Sequence, residues 1–292
     1  MTKLWWMRVG QPLVGRYPAV FYRVALVAGW IAWHVRGEFR RNVIHNVLPL
    51  CDGNARRAKR EGLRVFQYVA QYYVDLTTLP RRNMALFERE HLRITNPEYL
   101  EVVEHNGPVV AVSAHTGNAE LAIQALTHRG RGFVALVEAL QPPEWGERLL
   151  ELRSSAGGRF YEADFGGVRA CMEALKQGQV LGVMGDRDIQ GTGICVVMCG
   201  KQVKLPRGPW ELARRTNALV VPVFCRRLLR DDFEVVLAEP YRVEVSDSPD
   251  ADIRKAAHRF AALLETHLRR DPGQWVVMEE FWRVHACTAD PE

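Results

Sequence analysis

The chain has 292 residues, 48% of them hydrophobic and 25% charged, which excludes a disordered polymer and leaves material for one large core or two modest ones. Its net charge of +5 hides an asymmetry: residues 1–60 hold eleven Lys or Arg against two acids, a net +9 that leaves the remainder at −4. Localised basic charge suits nucleic acid or an anionic membrane, and no recognition-helix pattern, zinc-finger spacing or base-stacking aromatic pair supports nucleic acid.

The same sixty residues contain Trp5, Trp6, Trp30 and Trp33, half of the eight tryptophans, around "PAVFYRVALVAGWIAWHVR". The charge-free core of this stretch, Val24 to Trp33, is ten residues long, whereas a spanning helix needs about twenty. The basic residues do not lead into a long apolar run with a small-residue cleavage site, so a secretory signal is not expected. The expectation is an interfacial helix whose Trp and Arg side chains sit at headgroup level beside anionic lipid. The alternative is a buried helix of the main core with a solvated basic flank. Residues 1–50 are assigned to this membrane-associating extension and 51–292 to the main domain.

Residues 55–79 place apolar side chains at 63, 65, 66, 69, 70, 73, 74 and 76, the period of a helix. From residue 107 short apolar runs alternate with helical stretches. "GPVVAVSAH" predicts a strand, "NAELAIQALTHRG" a helix and "GFVALVEAL" a strand. Helices follow in "PPEWGERLLELRSSAGG" and "FGGVRACMEALKQG", then a strand in "QVLGVMGD", a helix in "RGPWELARRTNA" and a strand in "LVVPVFCRRL". "DFEVVLAEPYRVEV" reads as one or two strands and "DIRKAAHRFAALLETHLRRDP" as a long helix. Apolar strands alternating with helices predict an α/β fold with a mostly parallel sheet covered on both faces. The six cysteines are scattered, and Cys195 and Cys199 are not a CxxC pair, so they are expected to be reduced thiols in a cytoplasmic setting, without a zinc site.

The chemistry concentrates in three places. In "VVAVSAHTGNAELAIQAL" a buried strand ends near Ala114, so His115 sits at its carboxyl edge, where open α/β sheets present ligands. Gly117 turns the chain, Asn118 can cap the helix, and Glu120 falls in the first turn, within reach of the imidazole. A carboxylate there would hold one ring nitrogen protonated by accepting its hydrogen bond and leave the other as a proton acceptor; alternatively Glu120 only complements the helix dipole. There is no G-x-S-x-G elbow and no H-E-x-x-H pair, so the attacking hydroxyl is expected to come from a substrate, without a metal or an acyl-enzyme. In "VMGDRDIQGTGI", Asp186 and Asp188 follow a second strand and would open into the same crevice, as site walls or headgroup ligands. In "KLPRGPWELARRT", Arg207 precedes Gly208 and Pro209 at a helix start, an arrangement suited to a phosphate or carboxylate.

These clusters, in this order, resemble the bacterial lipid A late acyltransferases, a family that includes the phosphatidylinositol mannoside acyltransferases. The signature H-x4-[DE] is seen as His115 to Glu120 in "AHTGNAEL". "FRRNVIHNVLP", "ELRSSAGGRF", "ALKQGQVLGVMGDRDIQGTGI", "LPRGPWELARRTNALVVPVF" and "DPGQWVVMEEFW" extend the likeness over residues 39–282. The chain has "VMCG" where the family often has "FFG", and Ala119 where it often has an aromatic. The resemblance implies a glycerolipid-acyltransferase-like fold at the cytoplasmic face of the inner membrane. It implies transfer of a fatty acyl chain from acyl carrier protein or coenzyme A to a hydroxyl of a membrane glycolipid, such as a lipid A precursor or a mannosylated phosphoinositide. His115 would then be the general base and Glu120 its orienting partner. Arg153 would match a family Arg that stabilises negative charge or grips phosphate, and Asp186 and Asp188 an acidic pair that closes the site. A thioesterase using the same His and Glu on water, and a catalytically silent lipid carrier, are the competing readings.

Overall fold

The computed structural model describes residues 11–105, 107–125, 129–140 and 142–287. Trp5 and Trp6, with the basic residues around them, lie outside the described residues. Residues 11–16 are helical, and α1 (Pro18–Val35) follows, with Pro18 in its first turn where a missing N–H costs nothing. Next come α2 (Gly37–Val47) and α3 (Ala55–Thr78), the latter capped by Asn54, whose side chain accepts from the Arg57 amide at 2.9 Å. After α4 (Met84–His91), β1 (Leu92–Thr95) and α5 (Glu98–His105) the alternating part begins. It comprises β2 (Val109–Ser113), α6 (Ala119–Ala125), β3 (Phe133–Val137), α7 (Pro143–Ser154), β4 (Arg159–Glu162), α8 (Phe165–Lys176) and β5 (Val180–Met184). A hairpin of β6 (Ile194–Met198) and β7 (Lys201–Leu205) precedes α9 (Gly208–Thr216), β8 (Leu219–Leu229), β9 (Asp232–Leu237), β10 (Tyr241–Arg242), α10 (Pro249–Arg270) and α11 (Phe281–Val284).

The main sheet runs β1-β9-β8-β2-β5-β3-β4, with β10 also on β8. The pairs from β8 through β2, β5 and β3 to β4 are parallel, and β8 meets β9 and β10 antiparallel. Every residue of β2 is buried, because helices cover both faces, which is why its sequence is a continuous apolar run. Val110, Val112 and Leu181 pack on one side with Trp210, Phe260 and Leu264. Val109, Ala111 and Val221 pack on the other with Phe87, Leu100, Leu121 and Ala122. Proline is unusual in a central strand, yet Pro222 lies in β8. It falls between the pairing with β10 at Leu219 and Val220 and the pairing with β9 from Val223, where its carbonyl accepts from the Ala238 amide at 2.9 Å.

The helical N-terminal part is packed onto this body. Trp33, Val43 and Val47 share a small core with Cys51, Ala58, Val65 and Phe66. In α1 the buried residues are Tyr22, Ala25, Gly29 and Trp33, while Val20, Val24, Val27, Ile31 and Val35 are each about half exposed or more. The two sets lie on opposite faces of one helix. Length and composition make α1 the described helix long and apolar enough to cross a membrane. The helix outruns the ten-residue charge-free core at both ends because Arg23 and His34 are accommodated within it.

The expectation of six reduced thiols is corrected: Cys195 on β6 is disulfide-bonded to Cys287, and Cys51, Cys171, Cys199 and Cys225 are free. A backbone bridge between Val203 and Ala286 lays the end of the described chain against the hairpin, and Cys195 faces Lys204 there. The two cysteines are 92 residues apart in sequence, so only the fold pairs them.

Candidate active site

The register of the two central strands creates the site. Ser113 of β2 lies beside Met184 of β5, so two residues further on His115 lies beside Asp186. His115 Nδ1 is 2.8 Å from Asp186 Oδ1, and the His115 amide donates to Asp186 Oδ2 at 3.1 Å. The Trp275 indole Nε1–H donates to the same Oδ2 at 2.9 Å. Asp186 is fully buried and His115 about one-third exposed. Burial alone would push the Asp186 carboxyl up; the imidazole, the indole and the amide outweigh it and hold the carboxyl below the usual aspartate range. An ionised acceptor on Nδ1 makes that nitrogen the donor and leaves the Nε2 lone pair for a substrate proton.

Two further bonds set the ring's position. The Val276 amide donates to the His115 carbonyl at 2.7 Å, and Thr116 forms an antiparallel bridge with Trp275. Gly117 has φ +57°, and a Cβ there would stand 2.6 Å from the Cys225 carbonyl oxygen, so only glycine can make this turn against β8. Asn118 then caps α6, its Oδ1 accepting from the Leu121 amide at 3.0 Å. Its Nδ2 donates to Asp75 Oδ2 at 2.8 Å. Among the described residues, the side-chain hydroxyls of Ser113 and Thr116, on either side of His115, are buried without a protein partner.

The carboxylate against the imidazole is therefore Asp186, and the expectation that Glu120 holds this place is corrected. Glu120 turns to α7: its Oε2 lies 3.0 Å from Arg153 Nε and accepts from the Tyr72 hydroxyl at 3.4 Å, while Arg153 Nη2 donates to that hydroxyl at 2.9 Å. Burial pushes the Glu120 carboxyl up, against the pull of Arg153 and Tyr72. A buried guanidinium supplies a close cation, and five residues along a turning chain are enough to carry Glu120 past the histidine to it. Arg153 is thus the counter-ion of Glu120.

Asp188 is buried and holds its own loop, accepting from the Gly193 amide at 2.8 Å. Arg207 is bound by Glu211 and Asp250, at 3.2 and 2.5 Å, so its cation is neutralised at the α9 start where a free anion site was expected. Between the two acids, Arg187 donates to both oxygens of Glu279 at 2.7 and 2.8 Å, and His285 Nε2 lies 2.7 Å from Glu279 Oε1. Burial would raise the Glu279 carboxyl, but His285 and Arg187 hold it down at about 2.

Sequence reasoning missed Tyr72, Trp275 and Glu279. The last two lie in or beside "QWVVMEEFW", a stretch noticed for its family likeness, but nothing in it says that an indole returns to Asp186. Beneath α6, an apolar cavity is lined by Leu100, Ala111, Ala122, Ile123, Phe133 and Val223, among others. Among the described residues, the grouping with metal-ligand atoms close together is His91, Asp231 and Asp232. There His91 Nδ1 is 2.7 Å from Asp232, and Arg82 donates to Asp231 at 3.2 Å.

A family model described as bacterial lipid A biosynthesis acyltransferase matches residues 5–284. Phosphatidylinositol mannoside acyltransferases of Mycobacterium tuberculosis strains CDC 1551 / Oshkosh and ATCC 25618 / H37Rv are 27% and 30% identical over 220 residues, 73% of this chain and 67% of theirs. The enzyme of that description from Mycolicibacterium smegmatis is 28% identical over 180 residues, 60% of this chain and 57% of its own.

Proposed function

The chain belongs to the bacterial lipid A biosynthesis acyltransferase family, and we propose that it transfers a fatty acyl chain from a thioester to a hydroxyl of a membrane glycolipid with His115 as general base. The glycolipid acyltransferase activity follows from the family and from its mannoside-acylating relatives. What supports the mechanism is the hydrogen bond from His115 Nδ1 to a buried, ionised Asp186.

His115 Nε2 takes the proton as the acceptor oxygen attacks the thioester carbonyl carbon. The C–O bond forms, the carbonyl becomes a tetrahedral oxyanion, and Asp186 stabilises the imidazolium. Collapse breaks the C–S bond, the thiolate takes the proton from His115, and the products are an ester and a free thiol. No protein nucleophile is required, because the acceptor hydroxyl held in line with the thioester fills that role. Glu120 and Arg153 form a neutral, rigid wall, and Asp188 holds the loop that carries Asp186.

The donor is acyl carrier protein or coenzyme A, and the acceptor a lipid A precursor, a mannosylated phosphoinositide or a related glycolipid. The relatives' names favour a mannosylated phosphoinositide. Residues 1–50 are the membrane-associating segment and 51–292 the acyltransferase domain, working at the cytoplasmic face of the inner membrane. Support comes from the exposed apolar face of α1 and the basic charge around it, which suits anionic lipid. Mass spectrometry of lipid extracts from the host with and without the gene tests this reading. One glycolipid lighter by a single acyl group is expected and names acceptor and chain length together. Unchanged glycolipids, with acyl release from thioesters by the pure protein, would replace it with a thioesterase.

A further inference from the structure

A second buried polar cluster lies behind the catalytic loop, and the proton transfer described above does not use it. Its centre is Asp75 of α3, 1% exposed. Asp75 pairs with Arg227 of β8, itself 2% exposed, through the two terminal guanidinium nitrogens, Nη1 and Nη2. It also accepts from Asn118 Nδ2 at 2.8 Å and, on its other oxygen, from the Tyr22 hydroxyl of α1 at 2.5 Å. Arg82 donates to the Tyr22 oxygen at 2.8 Å. A lone buried ion pair would only have to satisfy its own charges, yet this one has branches that end at the dyad from two sides.

The first branch passes through Asn118, whose amide oxygen caps α6 three residues after His115. The second passes through Arg227, whose main chain is clamped by Gln274. Gln274 Oε1 accepts from the Arg227 amide at 3.0 Å, and its Nε2 donates to the Arg227 carbonyl at 2.8 Å. The next residue, Trp275, donates to Asp186, and the one after it donates to the His115 carbonyl. Both partners of the dyad are thus held by segments that Asp75 holds, and one of the donors to Asp75 comes from α1.

We infer that Asp75 is a positioning residue for the His115–Asp186 dyad and that the Tyr22 hydroxyl makes its geometry depend on the docking of α1. The helix that would meet the bilayer with its outer face therefore also orders the catalytic loop with its inner face. When α1 leaves its seat, Asp75 Oδ1 loses a donor, the pair with Arg227 shifts, and Asn118 no longer has a fixed acceptor. Turnover then depends on α1 in addition to any role of α1 in membrane attachment. The activity part of this inference rests on the acyltransferase reading above; the ordering part does not.

The test is Tyr22→Phe in the full-length protein, which keeps the ring and removes only the hydroxyl. Trp33→Phe is the control, because it loosens the same helix pair at the far end of the contact without touching Asp75. Turnover is followed as thiol release from palmitoyl-coenzyme A in the presence of glycolipid extracted from the host. Amide hydrogen exchange is followed by mass spectrometry on peptides covering 115–121 and, for comparison, 208–216. Tyr22→Phe should lower kcat at least about fivefold with KM for palmitoyl-coenzyme A within about twofold, and should raise exchange in 115–121 but not in 208–216. Trp33→Phe should do neither. Unchanged exchange in 115–121 overturns the inference, as does an equal loss of kcat in both variants, which would mean that loose packing of α1 and not the hydroxyl is responsible. Should the wild type turn over neither palmitoyl-coenzyme A nor palmitoyl-acyl carrier protein, the acyltransferase reading fails, and the exchange data alone still decide the role of Tyr22.

Discussion

A carboxylate that is wholly buried yet ionised has to be held by donors, and Asp186 has three: an imidazole, an indole and a main-chain amide. Replacing it with Asn puts an amide against Nδ1. An amide N–H pointing at the ring favours the tautomer with the proton on Nε2, which is no longer a base. Asp186→Asn and His115→Ala should each lower kcat by about a hundredfold or more, measured with saturating donor, while membrane pelleting and far-ultraviolet circular dichroism stay as in the wild type. Glu120 should behave differently. Glu120→Gln leaves Arg153, whose side chain is 14% exposed, without its counter-charge, at a cost of about 3 kcal/mol. The urea midpoint should fall accordingly, and adding Arg153→Met should recover most of the loss. A Glu120→Gln protein as stable as wild type would show that the buried pair contributes nothing to the fold. His115 and Glu120 were legible as a pair from their spacing; that each has a different partner was not, because partner choice between two nearby carboxylates depends on where the donors lie in space.

The elements most legible in the chain were those with a strong period: α3, β2, β5, α9, β8 and α10 all coincide with expected segments to within a few residues. The hairpin of β6 and β7 went unassigned. Its two-residue turn is Cys199-Gly200, both at positive φ, whereas Asn-Gly or Asp-Gly would have announced it. The Cys199 amide donates to Glu265 at 2.6 Å, a tertiary contact that helps hold a residue with poor turn propensity. β4 was missed because its four residues, Arg159 to Glu162, lie at the sheet edge and are largely polar or half-exposed. For α1, the split between its two faces leads to a prediction. Val24, Val27 and Ile31 are on the exposed face, and each aliphatic side chain taken into lipid is worth about 1.5 to 3 kcal/mol. Changing all three to Gln should therefore weaken partition onto anionic vesicles at least about a hundredfold, with no effect on the inner face around Tyr22 and Trp33. Undiminished vesicle binding in flotation assays would remove α1 from the contact.

For the molecule as a whole, acid sensitivity should be traceable to a histidine outside the active site. His267 of α10 is buried and stacks on Phe224 at 4.7 Å. Burial first, then the nearby Arg270 and Arg226, push it down to about 4 from its usual 6.5. Since the unfolded chain takes up this proton more readily than the folded one, the stability it leaves intact above pH 6.5 is lost as pH falls from there to about 4. A shift of this size corresponds to about 3 kcal/mol. His267→Phe should flatten the dependence of the thermal midpoint on pH across that window, and an unaltered slope would assign it to other groups. The layered architecture was readable in the chain because buried parallel strands must be apolar throughout and helices must show one apolar stripe, rules that act on neighbours in sequence. The strand end carrying His115 and the loop carrying Asp186 were readable for the same reason. Which carboxylate meets the imidazole, how Trp275 returns to Asp186, the pairing of Cys195 with Cys287, and the reach of Tyr22 from α1 to Asp75 were decided by register and packing between segments 53 to 92 residues apart. Those contacts arise from competition among many possible partners for a few buried donors and acceptors, and only the folded arrangement settles it.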